Sequence, residues 1–433
     1  MILSIAVSCV IFAAVIMFVI RLAGDAGFKL PSNNAFSFIT ENKYPVRPDE
    51  ADGKYTLLKV FLYALGFRLI IFMFGWAAYG IFAKGAPIGI LEYCEKWNLW
   101  DAPHYIEIAK NGYGQHVENG QHLFLVFFPL YPVMMKLFAS IIQNYVISGL
   151  LVSFLSYSFG CVLMYKLVRI DYSKEIARKS VIFLSISPFA FFFGSLMTES
   201  LFFLLIAATF LAIRKHKWWL AGIFGALAAL TRSFGVFMLI PAVVEWITHE
   251  KPVELIRLKK GKELLKKFLA LLPVLIMIAG ILIYLYINYA TEGDPFIFSK
   301  YQREHWYQTL QFFGKTVNML SDRVFSPTDN WSNMICIFLP GLLTAVISSV
   351  IILLGVRRTR SMYSVFMIAC FFFNVGASWP LSLSRYMTCM LPAFWVLATL
   401  TEKRKNLDTL ITVTMAIAFG IMLTGYMTLH QIM

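Results

Sequence analysis

Five short segments of this chain carry side chains that can move a proton or hold an anion. Trp97 to Gly114, "WNLWDAPHYIEIAKNGYG", offers Asp101, His104, Tyr105 and Glu107. "MTES" offers Glu199, "LTRSFG" offers Arg232, "EGDPFIFSKYQREHWYQ" at 292–308 is a fourth polar segment, and "PLSLSRYM" offers Arg385 and Tyr386. A carboxylate can take the proton of an attacking hydroxyl, and arginines can offset charge growing on a departing phosphate. One base suffices for an inverting displacement, so this chemistry demands neither a metal nor a cofactor. The seven histidines show no ligand spacing, and His104, His116, His122 and His305 read as hydrogen-bonding loop residues.

The rest of the chain is oily. It is 59% hydrophobic and 14% charged, its mean hydropathy is +0.70, and several apolar runs approach twenty residues, which marks a polytopic integral membrane protein. The net charge of +14 then reflects basic cytoplasmic loops, not nucleic acid. Six cysteines lie mostly within apolar runs without a CxxC pair, and they read as small hydrophobes. The first twenty residues lack a basic start and a small-residue cleavage site, so they read as an uncleaved helix with its N-terminus outside.

Apolar runs predict about twelve transmembrane helices, near 2–20, 57–82, 145–168, 181–197, 199–213, 218–231, 234–248, 268–290, 333–356, 361–379, 387–400 and 408–429. Segments 21–59, 169–180, 214–217, 251–267, 357–360 and 403–405 hold 26 of the 38 Lys and Arg. The positive-inside rule therefore places these in the cytoplasm and the five polar segments on the outer face. The run 123–142 contains Pro129, Pro132 and Lys136 and reads as re-entrant or interface-lying. The basic tract 251–267 reads as an amphipathic helix on the cytoplasmic surface, drawn to anionic lipid. Arg68 is the main charge deep within a span.

At helical spacing Asp101, His104, Tyr105 and Ile108 share a face, and Asn111-Gly112 supplies a stop. This predicts a short amphipathic helix in the first large external loop, with Asp101 as its N-cap, Pro103 in its first turn, and Trp97 and Trp100 at headgroup level. Asp101 would then face both a water-filled vestibule and the lipid headgroups. The reaction that fits this placement is transfer of a sugar from a polyprenyl phosphate to an acceptor hydroxyl.

These motifs resemble the PIG-V family of mannosyltransferases, members of the membrane glycosyltransferase C superfamily. "WDAPHYIEIAKNGY" is similar to that family's Trp-Asp segment, and "FFPLYP" to the block after it. "SPFAFFFGSLMTESLFF" is similar to its Glu-Ser span, "ALTRSFG" to its Thr-Arg motif and "SLSRYMTCMLP" to its Arg-Tyr-Pro block. The likeness covers roughly residues 57–400. It implies an all-α glycosyltransferase C-type fold, a lipid-phosphate mannose donor, a non-cytoplasmic acceptor and Asp101 as base. It also implies His104, Tyr105, Glu199, Arg232, Gln302, Trp306, Arg385 and Tyr386 as substrate-binding residues.

The expected organisation is one domain over 1–433, comprising an extra N-terminal helix and cytoplasmic linker (2–56), the family-like core (57–400) and a last helix (401–429). Short loops, a Lys/Ile/Phe-heavy composition and basic cytoplasmic tracts suggest a bacterial plasma-membrane protein whose acceptor is a glycolipid or envelope polymer. Asn330-Trp-Ser332 is a sequon. A transporter or flippase of a lipid-linked saccharide is the alternative, but it would carry internal repeats or broken helices with ionisable groups near mid-membrane. An acyltransferase would want a His or Cys nucleophile beside a base.

Overall fold

The computed structural model describes residues 1–31, 34–41, 52–82, 87–326 and 330–432. Parts of the cytoplasmic linker and of the expected external segments therefore lie outside the described residues. Among those described the architecture is all-helical. Six helices are long and apolar enough to cross a membrane: Ile2–Asp25, Thr56–Phe82, Tyr145–Val168, Gly261–Glu292, Trp331–Gly355 and Lys405–Met427. Shorter apolar helices (Leu130–Ile142, Trp218–Thr231, Ser361–Val375 and Pro392–Thr401) lie among them.

Helix Glu199–Arg214 is the centre of the packing, flanked by Tyr145–Val168 on one side and Trp218–Thr231 on the other. Lipid tails are as apolar as leucine, so helices in a bilayer associate by close fit and small residues. Gly280 is one such point, because a Cβ there would overlap the Ala226 carbonyl of the neighbouring helix. Sixteen residues at 1.5 Å each set the ends of the central helix about 24 Å apart, and each end carries an ionic cluster. At the C-terminal end, Glu245 is fully buried and meets Arg360 at 2.8 Å and Arg214 at 3.6 Å, while Arg214 reaches Asp171 at 2.6 Å. The other end holds Glu199.

Several expected spans are broken. The reading of 181–197 as a helix is corrected: helix Lys174–Ser185 stops ahead of Pro188, and the chain continues as a short 3-10 turn, Ala190–Gly194, before Glu199. A helix tends to end before a proline, and the apolar run reports burial, not helicity. Irregular backbone survives away from water only when its carbonyls find donors. Here side chains supply them. Arg68 donates to Ser185 O at 3.0 Å and Ala190 O at 2.6 Å, Ser153 donates to Ser195 O at 2.6 Å, and Ser200 donates to Phe193 O. Arg68, 1% exposed, also lies 4.2 Å over the Tyr157 ring.

The run 123–142 divides into a 3-10 turn, Leu123–Val126, and helix Leu130–Ile142. A left-handed Gln143 and the Asn144 cap reverse the chain into Tyr145–Val168. Tyr131 donates to Gly149 O at 3.1 Å, so the thirteen-residue helix runs antiparallel to the first turns of its longer neighbour. The basic tract 251–267 is not one continuous helix. It forms Pro252–Arg257 and the start of Gly261–Leu271, divided at Lys259, whose φ is 56°.

Arg68→Met keeps most of the bulk and removes both donors. Leaving the Ser185 and Ala190 carbonyls unpaired should cost about 2 kcal/mol, measured as a lower midpoint of thermal unfolding in detergent. An unchanged midpoint would show that the broken segment does not depend on this guanidinium.

Candidate active site

The segment before Asp101 is packed, not floating at an interface. Trp97 is 1% exposed. Its ring stacks on Phe72 at 5.8 Å and meets Tyr93 and Tyr426 at 6.3 and 5.8 Å. The expected headgroup position of Trp97 is thus corrected: it belongs to an aromatic core shared by helices Thr56–Phe82 and Lys405–Met427. Trp100 is only partly exposed and adopts a φ of 58°. That conformation is costly for a bulky side chain and gathers at functional turns. It turns the chain sharply into Asp101.

Helix Ala102–Asn111 follows, with Pro103 in its first turn and Gly112 ending it at φ 77°. Asp101 occupies the N-cap position, but its carboxylate makes no capping hydrogen bond. Arg385 draws it instead: Asp101 Oδ2 lies 3.4 Å from Arg385 Nη1.

Arg385 joins Asp101 to a buried carboxylate. Glu199 Oε1 accepts from Arg385 Nε at 2.6 Å and from Arg232 Nη1 at 2.7 Å. Arg232 also donates to Thr198 Oγ1 at 3.1 Å and lies 4.0 Å over the Tyr386 ring. Glu199 opens its helix, where the positive end of the macrodipole favours an anion. Arg232 sits in extended backbone between helix Trp218–Thr231 and the 3-10 turn Ser233–Met238. Gly235 permits that reversal, since a Cβ there would overlap Ala228 and Ala229 backbone. Two carboxylates thus balance two guanidiniums, in the order Asp101, Arg385, Glu199, Arg232.

A cavity of about 760 Å³ opens beside this chain of charges, lined by Asp101, Tyr105, Arg232, Arg385, Tyr386, Gln302 and Trp306 among others. Glu199 does not line it, and its side chain is 0% exposed against 24% for Asp101. Glu199 therefore acts through the arginines, while Asp101 faces the open space. His104 does not line the cavity either. Its ring lies 4.8 Å from Phe124 and 5.1 Å from Phe127, and burial lowers its pKa, favouring the neutral imidazole. Burial likewise raises the Tyr105 phenol far above its ordinary value, so it stays protonated.

Arg303, Gln308 and Trp379 of the cavity wall went unnamed in the sequence, while His305, read as a hydrogen-bonding residue, also lines the cavity and meets Gln121 Oε1 at 2.8 Å. Arg303 has no carboxylate partner among the described residues. The wall it stands on, helix Ile297–His305, is pinned by Glu292, which accepts from Tyr301 Oη at 2.8 Å and from the His122 backbone at 2.9 Å. His122, read from the sequence as a hydrogen-bonding loop residue, does hydrogen-bond, and it helps hold the wall. Among the described residues no group of three or more His, Cys, Asp or Glu is placed to hold a metal.

A family model described as mannosyltransferase (PIG-V) matches residues 89–319, more than half of the chain. No curated protein matches the chain. Among solved structures it is similar to ArnT from Cupriavidus metallidurans bound to undecaprenyl phosphate. That match has 14% identity and a TM-score of 0.51, over 86% of this chain and 72% of that one. The archaeal oligosaccharyltransferase AglB from Archaeoglobus fulgidus gives 12% identity and a TM-score of 0.44, over 87% of this chain and 56% of that one. The likeness to ArnT shows a shared fold.

Glu199→Gln leaves the buried Arg385 and the half-buried Arg232 guanidiniums short of their counter-charge and should cost about 3–5 kcal/mol of stability. Asp101→Asn, at the solvent-facing end, should cost no more than about 1 kcal/mol. Thermal or denaturant unfolding of both variants in detergent checks the difference. Equal losses would contradict the division into a buried brace and a cavity-facing carboxylate.

Proposed function

Because the chain belongs to the PIG-V mannosyltransferase family and is a membrane glycosyltransferase, we propose that it moves a hexose, mannose by family, from a polyprenyl-phosphate sugar to an acceptor hydroxyl. The acceptor is a glycolipid or envelope polymer on the non-cytoplasmic face of a bacterial plasma membrane. The single observation that carries the chemistry is Asp101: a partly exposed carboxylate at the cavity wall, next to guanidiniums that are themselves braced from behind.

In this reading Asp101 accepts the proton of the acceptor hydroxyl. The hydroxyl oxygen forms the new bond to the anomeric carbon, and the carbon–oxygen bond to phosphate breaks on the opposite side. Polyprenyl phosphate leaves with the electron pair, and the configuration inverts. Arg232 and Arg303, both on the cavity wall, receive the departing phosphate. The charge count supports the sequence of events. With Asp101 ionised, the four-residue chain is neutral; once Asp101 takes the proton, the two arginines face only Glu199. A surplus positive charge thus arises as negative charge develops on the phosphate. The displacement needs one base and no metal or cofactor.

The outer-face placement rests on the Lys and Arg distribution, which sets the segments around Asp101, Glu199, Arg232 and Arg385 on the less basic side. At the far end of the central helix, Arg214, Lys215 and Lys217 fall on the basic side.

The test is transfer by purified protein from polyprenyl-phosphomannose to candidate lipid acceptors. Asp101→Asn should lower kcat by about 10²–10⁴-fold with the donor KM little changed. Equal turnover by the variant would remove Asp101 from the mechanism.

A further inference from the structure

One wall of the cavity is chemically unlike the rest. Residues 307–311 pair with 376–378: Gln311 N donates to Gly376 O at 2.7 Å, and Ser378 N donates to Thr309 O at 2.8 Å. Ser378 Oγ donates to Tyr307 O and accepts from Thr309 N, each at 2.9 Å. This short antiparallel contact joins segments about seventy residues apart in the chain. It sets Trp306, one residue before the pairing, and Trp379, one residue after it, on the same cavity. Gln302 and Gln308 line it too, tied to each other by the Gln308 N to Gln302 O bond at 3.1 Å.

All four side chains are half-buried, and their polar atoms are unused. Neither indole N–H and neither amide has a hydrogen-bond partner among the described residues, and none of these atoms is fully buried. Trp306 is held edge-on by Phe127 at 6.0 Å, whereas Trp379 makes no ring contact among the described residues.

Pockets orient their ligands by a few convergent polar groups on an otherwise aromatic surface. Here those groups are neutral. An isoprenoid chain would leave two amides and two indole N–H groups without partners, at a cost. A phosphate would select the Arg232 and Arg303 guanidiniums instead of these neutral groups. A pyranose ring suits both features: its C–H face buries against an indole, and its neighbouring hydroxyls pair with amides, which donate and accept at once.

We infer that Trp306, Trp379, Gln302 and Gln308 form a binding site for one neutral hexopyranose ring. The site deepens the transferase reading and rests on it for the origin of that ring, which is either the acceptor's saccharide or the donor's own sugar.

Two measurements separate the origins. Saturation-transfer NMR of detergent-solubilised protein with methyl α-D-mannopyranoside, methyl α-D-glucopyranoside and methyl α-D-galactopyranoside reads a free saccharide. Binding of polyprenyl-phosphomannose relative to polyprenyl phosphate reads the donor sugar. Trp379→Ala and Gln308→Ala should each weaken one of these by at least about tenfold, with Trp379→Phe restoring part of it by keeping an aromatic face. Loss of the free-saccharide signal assigns the acceptor, and loss of the preference for the phosphomannose assigns the donor. Unchanged values in both measurements overturn the site, as does a wild type that binds no methyl hexopyranoside and shows no preference for the sugar-bearing lipid. Failure of wild type to bind either polyprenyl lipid, with methyl hexopyranoside binding intact, would instead sink the transferase reading and keep the site.

Discussion

A single buried carboxylate, Glu199, organises the candidate site. One oxygen accepts from both Arg232 and Arg385 at 2.7 and 2.6 Å, and those arginines come from segments far apart in sequence. Without an anion between them, two guanidiniums in so dry a place would repel each other and bear an unpaid desolvation penalty. With it, Arg385 is held where its Nη1 meets Asp101, and Arg232 is held at the cavity wall. Glu199 itself never meets the cavity, so it shapes the site from behind, while Asp101 faces the cavity at the front.

That arrangement requires an interruption in the helices. Glu199, Arg232 and Arg385 all sit where regular helix gives way to 3-10 turn, extended backbone or a helix of five residues. A continuous span would direct side chains around its circumference; a broken one can converge several at one depth. The exposed carbonyls must then be satisfied locally. Arg68, Ser153 and Ser200 do this for the segment that delivers Glu199. The deep charge of Arg68 is a donor to backbone.

The grouping of Asp101, Glu199, Arg232 and Arg385 was legible in the sequence because ionisable residues in an oily chain must find partners or a cavity. The helix after Asp101 was legible from its spacing and from Asn111-Gly112. Other features were hidden for physical reasons. Trp97 has the same apolar body and polar tip whether it anchors at headgroups or packs in a core, and only Phe72, Tyr93 and Tyr426 around it decide. Hydropathy could not distinguish a helix from the buried irregular chain at 186–198, although Pro188 was a signal. His104 followed the same face as Asp101 on a helical wheel, yet it turned into Phe124 and Phe127. Trp379 escaped notice at the end of an apolar run, where "GASWP" marked a loop but not its pairing with residues 307–311.

The two ionic clusters at the ends of helix Glu199–Arg214 differ in kind. The cluster around Glu245 draws Arg214, Arg360 and His216 together, and it braces the packing of the helices that carry them. The cluster around Glu199 ends on a cavity instead. The function therefore turns on what that cavity receives. A cryo-electron microscopy structure with a non-hydrolysable polyprenyl-phosphonate sugar tests it most directly. The account predicts the phosphonate against Arg232 and Arg303, with the anomeric carbon presenting its opposite face to Asp101. A lipid headgroup bound elsewhere, with Asp101 closed off by its neighbours, would contradict it.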